Sequence, residues 1–124
     1  MPALVASADV CVAPYDTARQ RQLTLGFYWS PLKVFEAMAA GVPSVTIPRF
    51  PLTEIVREGQ EGWHFREADP QDLARVLTRL ADDPGLRQRM GTSARERVVA
   101  RYSWAAHCEQ LERVLLRIVG RAAA

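Results

Sequence analysis

Ser30-Pro31-Leu32-Lys33-Val34-Phe35-Glu36-Ala37-Met38-Ala39-Ala40-Gly41-Val42-Pro43 reads as a helix that carries both of its boundary signals. Ser30 is a preferred N-cap, Pro31 suits the first helical position where a missing N–H is no loss, and Gly41 followed by Val42-Pro43 is a stop. Leu32, Phe35, Ala39 and Val42 recur at three- and four-residue steps and are read as the buried stripe, which leaves Lys33, Glu36 and Ala40 on a neighbouring face. The packing of such a helix requires neither charge. Free N–H groups in a first turn and the positive end of the helix dipole favour an anion, and Lys33 adds a cation at that end, so a phosphate is the natural guest. Glu36, one turn on, is spaced to accept hydrogen bonds from vicinal hydroxyls such as those of a ribose. The same spacing equally suits a plain i,i+3 ion pair worth about 0.2–0.5 kcal/mol to an exposed helix. Lys33 is the only lysine among 16 basic residues, and that favours a flexible point charge over a planar fork at this position.

Outward from the helix, Val10-Cys11-Val12-Ala13 and Ser44-Val45-Thr46-Ile47 are short apolar runs, each closed by a proline. With the helix between them they make a βαβ unit, whose ligand crevice lies at the carboxyl ends of its strands. Residues 15–24 are polar and without period, hence a loop. Leu25-Gly26-Phe27-Tyr28-Trp29 is an aromatic cluster that serves either as core or as a platform beside a base. Residues 51–58 read as a short helix stopped by Gly59, and residues 62–65 as a third strand with His64 facing outward. Asp69-Pro70 and Asp83-Pro84 open two helices with inward stripes Leu73/Val76/Leu77/Leu80 and Leu86/Met90/Ala94/Val98. Ser103 caps a last helix, in which Trp104, Cys108, Leu111, Leu115 and Ile118 or Val119 are expected to face inward.

Composition narrows the function classes. A chain of 124 residues, 48% apolar and 24% charged, is one ordinary globular domain with residues 1–124 in a single core. The net charge of +2 is spread among arginines that alternate with acids, which argues against a nucleic-acid surface. Cys11 and Cys108 lack paired spacing and His64 and His107 stand apart, so both thiols are read as small core residues and no metal site is expected. Neither a leader pattern nor a long uncharged apolar run is present, and the expectation is a cytoplasmic protein, with a peripheral place at the inner membrane face if its substrates are lipid-linked.

Several motifs in fixed order carry a family resemblance: Ala8-Asp9-Val10-Cys11-Val12-Ala13-Pro14, Phe35 to Val45, Glu54 to Gly62, Asp69-Pro70 and Tyr102-Ser103-Trp104. Together they resemble the nucleotide-sugar-binding half of GT-B-fold retaining glycosyltransferases of the group 1 (family 4) type. The resemblance implies an α/β, partial Rossmann-like three-layer domain: a short parallel sheet of about three strands, flanking helices and a helical C-terminal region. It implies transfer of a sugar from a nucleoside-diphosphate donor with retention, without a metal or other cofactor. Of the family's two glutamates seven residues apart, Glu36 matches the one that binds the donor ribose. The other position holds Tyr28, and Trp29, Ser30 and Pro31 stand where glycines are usual. Pro31 withdraws one backbone donor, so the implied donor-binding residues are Ser30, Leu32, Lys33 and Glu36. Residues 48–53 replace a glycine-bearing loop near the donor sugar, and Arg49 and Phe50 become its candidate sugar contacts, with Arg49 suited to a diphosphate or a carboxylated sugar, or simply solvated.

The resemblance covers only the later part of a second domain, so the acceptor domain, a glycine-rich loop and a basic pair are absent from these residues. A truncated donor-binding half, inactive alone, is therefore expected. A three-stranded sheet would offer an edge to a companion chain or a second copy. The alternative is a non-catalytic interaction module or orphan subunit derived from such an enzyme.

Overall fold

In the computed structural model, which describes residues 2–20, 23 and 30–122, a three-stranded parallel sheet lies between helices. The order is α1 (Pro2–Ala6), β1 (Cys11–Val12), α2 (Leu32–Ala39), β2 (Ser44–Thr46), α3 (Leu52–Ile55), β3 (Gly62–His64), α4 (Pro70–Asp82), α5 (Pro84–Arg101) and α6 (Trp104–Ala122). The three-stranded parallel α/β architecture is the one the sequence implies. β2 is central, with Val45 opposite Val12 on one side and Trp63 on the other. All three β2 residues are buried, as a strand covered on both faces must be. The β1 ladder is extended by Cys11 N–H to Pro43 O at 3.0 Å and Ala13 N–H to Val45 O at 2.8 Å.

Gly62 and Gly91 are close-approach points. A Cβ at Gly62 would stand 1.8 Å from the Ser44 carbonyl oxygen, and one at Gly91 would stand 2.0 Å from that of Gly41. The second contact seats α5 directly on the end of α2, where Gly41 turns the chain with φ of +75°. Three arginines of α5 then serve the tails of three other helices, whose last carbonyls have no partner within the helix. Arg87 donates to Leu80 O (2.6 Å) and Ala81 O (2.9 Å) at the end of α4. Arg95 donates to Ala39 O in α2, and Arg97 to Ile55 O (3.1 Å) and Glu54 O (2.6 Å) in α3.

The two Asp-Pro starts behave as expected. Asp69 and Asp83 each cap their helix, accepting from Asp72 N–H at 2.9 Å and Leu86 N–H at 2.8 Å. The buried stripes are Val76 and Leu80 in α4, and Met90, Ala94 and Val98 in α5.

Other expectations are corrected. In α2 the buried residues are Val34, Ala37 and Met38; of the expected stripe Val42 is buried and Phe35 packs against the core, whereas Leu32 is 65% exposed and Ala39 is exposed. The face in line with Gly41 is the one α5 covers, with Phe35 and Val42 reaching the core beside it. The N-cap is Pro31 without a side-chain bond, so Ser30 lies one residue outside the helix. α3 ends early because the buried Glu61 carboxylate accepts the Arg57 N–H at 2.9 Å and turns the chain. His64 is not an outward residue: its Nε2 lies 2.9 Å from Val56 O and its side chain is only 10% exposed. The Ser103 hydroxyl does accept from Ala106 N–H at 3.2 Å, but the stripe it introduces does not face inward. Trp104, Leu111, Leu115, Ile118 and Val119 are exposed, and Cys108 with them, because among the described residues α6 packs chiefly on α5 and leaves this stripe uncovered. The aromatic cluster at 25–29 lies outside the described residues.

Gly91→Ala is expected to destabilise by about 3 kcal/mol, since overpacking a tight contact outweighs the better helix propensity of alanine. Gly120→Ala, with nothing within 4 Å, is expected to be neutral or slightly stabilising. Thermal unfolding checks both, with a drop of about 10 °C expected for the first alone.

Candidate functional site

Parallel strands place their carboxyl ends together, and a crossover helix between two of them returns its amino end to the same side. Three loops meet there: residues 13–19 after β1, 47–51 after β2 and 65–69 after β3. Lys33, in the first turn of α2, holds its ammonium 5.1 Å from the centre of the Tyr15 ring, just after β1. The Cys11 Sγ lies 3.9 Å from the Lys33 carbonyl oxygen. Burial raises the Cys11 thiol pKa, Lys33 draws it back and Glu36 raises it again, so both charges of α2 are felt at the start of β1. Burial likewise raises the Tyr15 phenol, with Cys11 adding to it.

Lys33 and Glu36 are both exposed, and among the described residues no ion pair joins them. The bland reading of their spacing is therefore not the arrangement adopted. Leu32 N–H is engaged by Ser30 O at 2.9 Å, while Val34 N–H and Phe35 N–H turn back to Pro31 O at 2.9 and 3.4 Å. Lys33 N–H makes no bond among the described residues. Of the four residues implied to bind a donor, Lys33 and Glu36 thus present charged groups with no ion-pair partner among the described residues, and Lys33 also its N–H. Ser30 is exposed beside them, and Leu32 contributes only side-chain surface.

Arg49 is neither solvated nor free. Its guanidinium donates to one Glu67 carboxylate oxygen at 3.2 and 3.1 Å and to the Thr17 hydroxyl at 3.0 Å. Glu67 also accepts the Thr17 N–H. One carboxylate therefore ties together the loops after all three strands. Phe50 beside it is 70% exposed. Neither Glu67 nor Thr17 is apparent from the sequence, because residues 17, 49 and 67 meet only through the parallel strand order. Tyr15 had one local signal, its place directly after the proline that closes β1.

The other described cations of this rim are also matched. Arg19 lies 3.5 Å from Asp16, and Arg66 lies 2.9 Å from Asp69 and 3.9 Å from Asp72. Among the described residues of the rim, Lys33 alone has no carboxylate within salt-bridge distance. A hollow of about 290 Å³ at this end is lined by Tyr15, Asp16, Arg19, Phe65, Asp69 and Leu73 among others; Lys33 and Glu36 are not among its lining residues, and Lys33 is linked to it only through the Tyr15 ring. A site of this kind has an unmatched cation at a helix start, a carboxylate one turn on, and otherwise compensated charge. It suits an anionic group joined to a polyhydroxylated one. Glu61 is a different case: buried, bonded to Arg57 at 3.1 and 3.0 Å and to the Ser93 hydroxyl at 3.2 Å, it is structural.

Comparison with known proteins bears on the family and the fold. The family model for glycosyl transferases group 1 matches residues 1–97. An MMP alpha-(1->4)-mannosyltransferase of Mycolicibacterium hassiacum is 34% identical over the whole of this chain, which spans 28% of that protein's length. The sucrose-phosphate synthase structure from Thermosynechococcus elongatus superimposes with a TM-score of 0.76 at 28% identity, over 98% of this chain and 27% of its own. The Anabaena protein HepE in complex with UDP gives 0.75 at 20% identity, over 94% and 30%, and so bears on the fold alone. Among the described residues, no helix is long and apolar enough to cross a membrane.

Both structural carboxylates titrate low. Burial pushes the Glu61 and Glu67 pKa values up, but the hydrogen bonds and charges of Arg57 for the first, and of Thr17 and Arg49 for the second, bring each below its ordinary 4.5. The folded chain binds these protons less tightly than the unfolded one, so their stabilisation is complete above about pH 4.5 and is lost as pH falls through the folded values. The melting temperature is expected to be level from about pH 7 to 5 and to fall below that, less steeply in Glu67→Gln. A melting temperature unchanged down to about pH 3 would contradict this reading.

Proposed function

We propose a donor-site role for this chain, which belongs to the group 1 glycosyl transferases: it binds a nucleoside-diphosphate sugar, with the diphosphate on the amino end of α2. The unmatched charge of Lys33 carries this reading. Where the described arginines of the rim are each satisfied by an acid, an ammonium with no carboxylate partner among the described residues, lying over the Tyr15 ring at the first turn of α2, favours an incoming anion. A diphosphate held there leaves more readily, because preorganised donors and a cation stabilise the charge it develops. Glu36 accepts from the ribose hydroxyls one turn below, and the sugar lies toward the rim formed by Arg49 and Phe50. HepE, whose structures hold UDP and UDP-glucose, supports the ligand class.

The reaction is transfer of the sugar to an acceptor, and the donor half alone binds without turning over. These residues span about a quarter of their relatives' length. The acceptor half comes from further sequence or from a companion chain. Among the described residues β1 pairs on one side only, and that edge, or a second copy across it, is where such an addition fits. The domain is one donor-binding half over residues 1–124, needing no metal, placed in the cytoplasm or at the inner membrane face.

Isothermal titration with UDP and GDP tests the site. Removing a charge-assisted contact costs about 1.5–3 kcal/mol, so Lys33→Met and Glu36→Ala are each expected to weaken the better ligand by at least about tenfold. Unchanged affinity in both variants, or no binding by the parent chain, overturns the proposal.

A further inference from the structure

Arg49 is the residue of the rim whose pairing decides what kind of sugar the site admits. It stands on the loop after β2 and reaches Thr17, two residues from the Tyr15 ring that lies against Lys33. A cation at that place, if free, would draw a carboxylated sugar. It is not free: Glu67 faces it at 3.1 Å with a side chain only 21% exposed, on a loop fixed by the Asp72 carboxylate, which accepts Arg66 N–H at 2.7 Å. Asp16 and Arg19 form a second compensated pair beside it, and the Phe50 ring adds an uncharged surface.

We propose that Glu67 is a specificity-determining residue, which by neutralising Arg49 makes the donor site select a neutral hexose over a carboxylated one. This rests on the donor-site reading above. A bound uronate would have either to displace Glu67 from Arg49, leaving that carboxylate enclosed without its partner, or to sit beside two opposed charges with no gain. A neutral hexose meets neither difficulty, and Thr17 and the outer guanidinium N–H groups remain near its hydroxyls. Selection against the wrong donor is thus built from a repulsive element as well as an attractive one.

Two substitutions of opposite sign separate this from a merely structural staple. Titrations of the full chain with UDP, UDP-glucose and UDP-glucuronate are expected to show glucose favoured over glucuronate by about tenfold or more. Glu67→Gln frees the guanidinium and is expected to erase or invert that preference, and Glu67→Asp to restore it. Arg49→Met leaves Glu67 unopposed and is expected to widen the preference, UDP being titrated alongside each variant so that the sugar effect is read as a ratio to it. Should both substitutions move the two sugars by the same factor, or leave the ratio as in the parent chain while UDP still binds, the proposal is wrong and the donor site stands. Failure of UDP to bind the parent chain overturns both.

Discussion

The contact between Gly91 and the Gly41 carbonyl sets the position of α2, and with it everything at the carboxyl ends of the strands. Two backbones meet where no side chain fits, since a Cβ on Gly91 would come within 2.0 Å of that oxygen. Arg95 adds a bond to Ala39 O, so the tail of α2 is held from two directions. α5 acts in the same way on its other neighbours, with Arg87 on the end of α4 and Arg97 on the end of α3. Helices whose orphan carbonyls are served by one common helix keep a fixed orientation to one another. A helix held by its tail has its head free, and the head of α2 is where Lys33 and Glu36 lie.

The opposite end of the sheet is organised by charge. Three loops that are far apart in sequence converge after β1, β2 and β3, and Glu67 binds to all of them through Thr17 and Arg49. Arg19 and Arg66 are matched as well. This compensation gives Lys33 its significance: an ammonium among neutralised neighbours dominates the local field, whereas the same ammonium in a broad basic patch would be one contribution among many.

Much of this was legible from residue order. The Asp-Pro pairs at 69 and 83 state helix starts through local chemistry, and both caps form. Short apolar runs closed by prolines gave the strands, and the run from Phe35 to Val45 gave the family. What failed was whatever depended on contacts across long separations. In α2 Phe35 and Val42 of the expected stripe reach the core but Leu32 and Ala39 do not, and the face through Val34 and Met38 is buried in a packing that depends on Gly91, fifty residues on. α6 has a good stripe with Trp104, Leu111 and Ile118 on it, yet all three are exposed, because a stripe records an amphipathic helix and not what covers it. Arg49 was legible as a charged residue in the right loop, but its partner Glu67 has no spacing signal.

The claim that the amino end of α2 receives a nucleoside diphosphate is tested most directly by residue-resolved NMR of the ¹⁵N-labelled chain during titration with UDP. The largest amide shifts should fall on Lys33, its neighbours Leu32 and Val34, and Tyr15 across the strand end, with α4 to α6 silent. Shifts confined to α5 and α6, or none at saturating UDP, would contradict it.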